Sequence, residues 1–275
     1  MKYAFLMTFL LLSCTSTRGT NPIVEISSEF LGLSYSNAEP APMKVFEEIS
    51  GLNCMTYVET VMSIVRPGSP EENLKGIRYY EAKTDEVHRK HFVSADWLPH
   101  NRKLGFLKDI TKNVYPGAKV AHATIDKILW FKKSKDRKIA RAFEQSGLKK
   151  LLDAKILYIP IEDLIGANDA SKEMVRGRTK IKINAQRLSL SKKIASKIPN
   201  GAILTLIYRD SEEYKDKIGS AILVGHIGFS VRKDGELFIR HADQPRKIIM
   251  DLPLSVFLNS VKKKFKGVNV SLVNI

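Results

Sequence analysis

This 275-residue chain predicts an α+β fold with helices first and an antiparallel sheet last, on three observations. The C-terminal third carries β-branched and aromatic runs separated by turn residues, Lys233-Asp234-Gly235 among them. Well upstream, Tyr57, Val58, Val61, Met62 and Val65 recur at the three- to four-residue spacing of one helix face. The composition, 44% hydrophobic and 27% charged, is that of a globular chain. It excludes a disordered tail, a collagen-like repeat and a polytopic membrane protein.

Residues 1–14 read as a secretory signal rather than part of the fold. Lys2 precedes the apolar run Tyr3–Leu12, which is too short to span a bilayer, and Ser13-Cys14 follows. Leu11-Leu12-Ser13-Cys14 also resembles a lipoprotein box, in which Cys14 becomes the lipidated first residue of the mature chain. A plain cleaved signal is the alternative. Both export the chain to the periplasm, and Thr15 after Cys14 favours the outer membrane if the lipid is attached. Cys54 is then the one thiol of the mature chain, so no disulfide framework is available.

Residues 15–40, with Ser, Thr, Asn and Pro clusters, read as a linker and N-terminal extension, and 41–275 as the domain. A short helix is expected over Pro42–Ile49. A second starts at Cys54 after Gly51-Leu52-Asn53 and ends at Arg66, before Pro67-Gly68. Residues 75–130 are mixed, with aromatic and His-rich stretches. The segment 131–200 carries 18 Lys+Arg against 7 Asp+Glu and reads as a basic insertion. In it Lys132–Lys150 looks helical, as does Ser189–Lys197. Strands are expected at Ala202–Tyr208, Ile222–Val231, Glu236–His241, Arg246–Asp251 and Val268–Asn274.

The charge, +16 overall, raises a nucleic-acid surface, with Arg176 to Lys182 as its core. Export and the lack of a recognisable nucleic-acid module argue against it. A solvated basic face or attraction to anionic polymers is the better reading. A zinc site built on His88, His91 and His100 or His122 is disfavoured, because His-x-x-His lacks the accompanying Glu of the helical zinc motif. No metal and no cofactor are expected.

Cys54 carries the chemistry. At the first turn of a helix, a thiolate faces unpaired N–H groups and the positive dipole end, which lowers its pKa and suits a nucleophile. The alternative is a core cysteine. A base is then needed. His226 lies mid-strand in Val224-Gly225-His226-Ile227-Gly228-Phe229, and His241 ends Leu237-Phe238-Ile239-Arg240-His241. A two-residue turn at Asp234-Gly235 pairs Lys233 with Glu236 and Gly228 with His241, leaving His226 one diagonal away on the same face. A three-residue turn would put the two histidines on opposite faces.

Asn53-Cys54-Met55-Thr56-Tyr57-Val58-Glu59-Thr60, then His226-Ile227-Gly228-Phe229, then His241-Ala242, resembles in order the motifs of the NlpC-type cell-wall amidases, which are papain-like cysteine hydrolases. The Cys-x-Thr-aromatic-Val-Glu-Thr form, with Arg89-Lys90-His91-Phe92 and Asp96-Trp97-Leu98-Pro99-His100-Asn101, is similar to a branch long catalogued as a domain of unknown function. The likeness runs from about Pro42 to Ile275. It implies a papain-like core and an N-acetylmuramoyl-L-alanine amidase acting on muropeptides, anhydro forms included. It also implies Cys54 as nucleophile, His226 as general base and His241 as the orienting third member. Arg89, His91, Trp97 and Asn101 would line the substrate side. Two departures stand out: Asn53 where the family carries Asp, and Gly201-Ala202 where it carries Gly-Asp. A γ-D-Glu–diaminopimelate endopeptidase of the same fold, or an inactive muropeptide-binding lipoprotein, are the alternatives.

Overall fold

The computed structural model describes residues 21–37, 49, 51–168, 171–176, 179–184 and 187–275. The signal segment with Cys14 and the helix expected over 42–49, apart from Ile49, lie outside the described residues. An eight-stranded antiparallel sheet forms the centre. Its strands are β1 (Leu107–Asp109), β2 (Lys119–Asp126), β3 (Leu151–Pro160), β4 (Ile203–Tyr208), β5 (Val224–Lys233), β6 (Glu236–Asp243), β7 (Ile248–Pro253) and β8 (Phe265–Val273). The spatial order is β7-β6-β5-β4-β8-β3-β2, and β1 pairs with the far end of β8. The α+β expectation holds.

Both faces of the sheet are covered, which explains the unbroken apolar run of β4. Ile203 and Ile207 face a core with Tyr57, Val58, Val61 and Met62 of helix α2 (Cys54–Val65), while Leu204 and Leu206 face a second core with Leu254, Phe257 and Leu258. Buried on both sides, every residue of β4 is apolar or, at Thr205, buried polar. At the sheet margin β2 instead alternates, burying Ala121, Ala123 and Ile125.

Helix α2 is wrapped rather than half-exposed, with Thr56 through Ser63 all buried. Helices α1 (Pro22–Ser28) and α3 (Pro70–Arg78) pack beside it, and the sheet lies beneath. Its C-terminus stops where Arg66, at φ −83° and ψ 144°, takes the extended conformation that Pro67 imposes on its predecessor. A charged side chain inside such a helix needs partners. Glu59 accepts from Arg78 Nε at 2.7 Å and has Arg89 Nη2 at 3.9 Å, all three buried.

Three expectations are corrected. The linker of 15–40 contains α1, capped by Asn21 and carrying Pro22 at its first position. Arg240 Nη1 donates to Val24 O and Ser27 Oγ, each at 2.9 Å, and Tyr57 donates to Ser27 O at 3.1 Å, so α1 is fastened to sheet and helix. Second, the helix read over Lys132–Lys150 is two, α5 (Lys127–Ser134) and α6 (Arg137–Gln145). Asp136 breaks it by accepting from Lys138 N as a new N-cap, and the halves fold back so that Phe131 stacks on Phe143 at 4.3 Å. Third, 131–200 is not wholly an insertion. It supplies β3 to the central sheet, and its outlying part is two ribbons, Ile165–Asn168 with Arg187–Leu190 and Ser171–Arg176 with Thr179–Asn184. Of Ser189–Lys197, only Lys192–Ala195 is helical. Among the described residues no helix is long and apolar enough to cross a membrane.

Candidate active site

Asn53 sets the start of α2. Its side chain accepts from the Met55 and Thr56 amides, each at 2.9 Å, and Thr56 Oγ1 accepts from Asn53 N at 2.9 Å, a reciprocal capping box. Cys54 is therefore the first helical residue, as the sequence predicts, and Asn53 serves the capping role without a carboxylate. The thiol is not activated in the way the helix position suggests. Burial, the largest influence, pushes it up to about 11, while the backbone N–H groups of Ile227, Met55 and Cys54 act in the opposite direction. Desolvation thus outweighs the dipole. The contribution of Ile227 places the sulfur against strand β5, one residue beyond His226.

The hairpin between β5 and β6 has the two-residue register expected. Lys233 faces Glu236 and Phe229 faces Arg240, with Asp234 and Gly235 at φ 48° and 80° in the turn. The register brings His226 and His241 together, with His226 Nε2 and His241 Nδ1 2.8 Å apart and the rings nearly perpendicular at 88°. A bulge at Gly225 aids this. β4 pairs Leu206 with His226 but Ile207 with Val224, and a side chain on Gly225 would strike the Tyr208 ring at 2.1 Å. Phe257, from helix α7 (Leu254–Val261), covers both imidazoles.

Burial favours the neutral form of both histidines. Burial lowers His226 to about 3, with His241 acting in the same direction, and burial lowers His241 to about 4 against the pull of Asp243. The thiol is raised and the imidazoles are lowered, and both shifts favour Cys–SH and neutral His over an ion pair. A proton moves only as bonds form.

The four residues expected on the substrate side are buried or nearly so. Trp97 and Asn101 have no exposed surface, Arg89 is 5% exposed, and the His91 side chain 7%. Asn101 Nδ2 donates to Ile77 O at 3.1 Å and Trp97 O at 2.9 Å, joining the end of α3 to helix α4 (Leu98–Lys103). Arg89 joins the Glu59 cluster, and His91 Nε2 meets Glu86 O at 2.8 Å. Asp96 works beside them, accepting from Tyr80 at 2.7 Å and pairing with buried Lys127 at 3.1 Å. The motif block therefore marks buried polar joints. Trp97 and Asn101, with no exposed surface, are closed to a ligand in this structure. The histidines of the zinc alternative are dispersed: His88 pairs with Asp85 and His122 with Asp153. Among the described residues no group of three His, Cys, Asp or Glu side chains is arranged to hold a metal.

The second departure from the family pattern also has a local reason. Gly201 sits at φ 78°, where a side chain would lie 2.6 Å from Asn21 Oδ1, and buried Ala202 donates its N–H to Ser230 Oγ at 2.9 Å.

Comparison with known proteins agrees with this architecture. Residues 25–268 match the AmiA-like family model, described as N-acetylmuramoyl-L-alanine amidase-like. A Legionella pneumophila protein assigned to DUF1460 superposes with a TM-score of 0.79 at 24% identity, over 100% of this chain and 95% of its own. An N-acetylmuramoyl-L-alanine amidase from Bacteroides uniformis superposes with a TM-score of 0.64 at 19% identity, over 92% and 99%. At these identities the structural likeness establishes a shared fold. No curated protein matches the chain.

Proposed function

Because the chain belongs to the AmiA-like family of N-acetylmuramoyl-L-alanine amidase-like proteins, we propose that it is a cysteine amidase with a papain-like core, hydrolysing the amide between N-acetylmuramic acid and L-alanine in muropeptides. The observation that carries this reading is the 2.8 Å His226–His241 contact on the strand whose Ile227 amide faces the Cys54 sulfur. A base held by a second polar group is one half of the working unit of a cysteine hydrolase, and Cys54 is the residue proposed to supply the other.

His226 Nε2 is committed to His241, so Nδ1 is the nitrogen that takes the Cys54 proton as sulfur attacks the lactyl carbonyl carbon. The resulting oxyanion is held by the Cys54 N–H at the start of α2, since Asn53 already occupies the Met55 and Thr56 amides. The C–N bond breaks as His226 returns the proton to the alanine nitrogen, leaving a thioester. Water then attacks, His226 takes its proton, the C–S bond breaks, and the sulfur is reprotonated. The products are the muramic lactyl carboxylic acid and a free stem peptide. The N-terminal sequence supports an exported, periplasmic protein carried on a lipid at Cys14.

The test is to incubate the mature protein and Cys54→Ala with muropeptides in anhydro and reducing forms, and to weigh the products. Free stem peptide and disaccharide from the wild type alone is the expected result. A shortened muropeptide would move the cut to the γ-D-Glu bond. No product in any form would leave a binding protein and overturn the hydrolase reading.

A further inference from the structure

Two neutral imidazoles in contact hold two N–H hydrogens on four nitrogens, and the 2.8 Å contact accommodates one of them. Two arrangements are open. In the first, His226 Nε2–H donates to His241 Nδ1; the hydrogen of His241 is then on Nε2, and His226 Nδ1 carries a lone pair. In the second, His241 Nδ1–H donates to His226 Nε2. The remaining hydrogen of His226 then sits on Nδ1, where it blocks proton uptake, and His241 Nε2 is bare. Only the first serves a base.

His241 Nε2 is the atom that reports the choice. It is buried and has no hydrogen-bond partner among the described residues. The carboxylate Asp243 Oδ2 lies 3.9 Å away, on the same strand and 4% exposed. That carboxylate is clasped by Arg246, whose N donates to Oδ1 at 3.0 Å and whose Nη1 donates to Oδ2 at 2.7 Å. Burial works against its charge, but the Arg246 bonds outweigh burial and hold the carboxyl below its usual range. An ionised carboxylate only accepts, so it attracts an N–H on Nε2 and repels a bare lone pair there.

We infer that Asp243 is a positioning residue for the His226–His241 pair, acting through His241 to select the arrangement in which His226 Nδ1 is free to take a proton. The inference rests on the amidase reading for its function, though the tautomer argument rests on geometry alone. A closure of about 0.7 Å turns the 3.9 Å approach into a hydrogen bond within the usual 3.2 Å limit. Asp243 then also faces the positive charge that His226 gains during attack. The other charged groups felt by the pair are Arg246, Asp251 and Lys264, and α7, packed over both rings, contributes no charged side chain.

The experiment uses Asp243→Asn, His241→Ala and the double variant in the mature protein. It reads kcat and KM on muropeptide, and separately the rate of Cys54 alkylation by iodoacetamide at pH 7. Asp243→Asn should lower kcat about 10- to 100-fold with KM within about twofold, and should slow alkylation in parallel. In the His241→Ala background it should add less than about twofold, because its route to the site is gone. Wild-type kcat and alkylation in Asp243→Asn would overturn the proposal. So would a loss that persists in full without His241, which marks a purely structural role. If the wild type turns over no muropeptide, the amidase reading fails and the alkylation arm still decides on Asp243. Should Asp243→Asn not fold, Arg246→Ala removes one clasp through a side chain that is 57% exposed. A several-fold fall with the same dependence on His241 is then expected, and an unchanged alkylation rate overturns the proposal.

Discussion

Replacing Gly228 by alanine tests how tightly the β5–β6 hairpin is spaced around the His226–His241 pair. The β5–β6 register extends to place Gly228 opposite His241. A Cβ there would lie 2.7 Å from Arg240 O, 3.0 Å from His241 Cβ and 3.1 Å from Ile239 Cγ1, where ordinary contact begins at 3.4 Å. The obstacle is backbone, so the strands must part locally by about 0.7 Å at a cost of about 2 kcal/mol. For a chain of this size that lowers Tm by about 6 °C. The same opening carries the 2.8 Å His226–His241 contact past the hydrogen-bond limit. A displacement of this size in a positioned base costs on the order of 100-fold in kcat. The assay is steady-state turnover of muropeptide beside a thermal melt. Gly147→Ala is the control, because nothing lies within 4 Å of the added methyl. A Gly228→Ala protein with wild-type kcat and Tm would refute the reasoning.

Asn53→Ala removes both side-chain caps of α2 and should cost about 1 kcal/mol in urea unfolding, whereas Asn53→Asp keeps the acceptor and should stay within a few tenths of wild type. A result in which the two variants behave alike would remove Asn53 from the account of how Cys54 is placed. Stability should also fall in mild acid. His241, buried, has its folded pKa lowered to about 4 against about 6.5 unfolded, so the unfolded chain binds the extra proton and stability is complete above pH 6.5 and lost toward pH 4. At pH 5 this one residue accounts for about 2 kcal/mol, and His226 acts in the same direction. Urea midpoints at pH 7.5 and pH 5 check it; equal midpoints would show that the imidazoles are not buried neutral.

Short-range signals were the legible ones. Asp234-Gly235 offered a two-residue turn, and with that turn length the shared face of His226 and His241 followed, although a three-residue turn was also open. Asn53 before an apolar period marked the first turn of α2. Three kinds of feature were not readable. Strand β2 is built on Ala121 and Ala123, whose small side chains give a weak strand signal, and β3 lies inside a segment dominated by its charge. The block around Arg89 and Trp97 was placed on the substrate side by the family resemblance, which carries no information about burial. Its burial depends on pairings such as Glu59 with Arg78 and Asp96 with Lys127, which join residues 19 and 31 positions apart. The helix dipole at Cys54 is local and was expected. The burial that overrides it is set by tertiary packing and has no trace in the sequence around the thiol.

The last strand in chain order bears on how the molecule assembles. β8 lies between β4 and β3, and without it the sheet falls into a four-stranded piece, β7 to β4, and a two-stranded piece, β3 with β2. Nucleation near α2 therefore cannot complete the sheet, because the joining strand follows the other described strands in sequence. Contacts of such long sequence separation predict slow folding, since loop closure precedes their reward. They also predict an uneven response to shortening. Deleting Phe265–Val273 removes the seam between the two pieces, so loss of this strand should unfold the sheet rather than trim its edge.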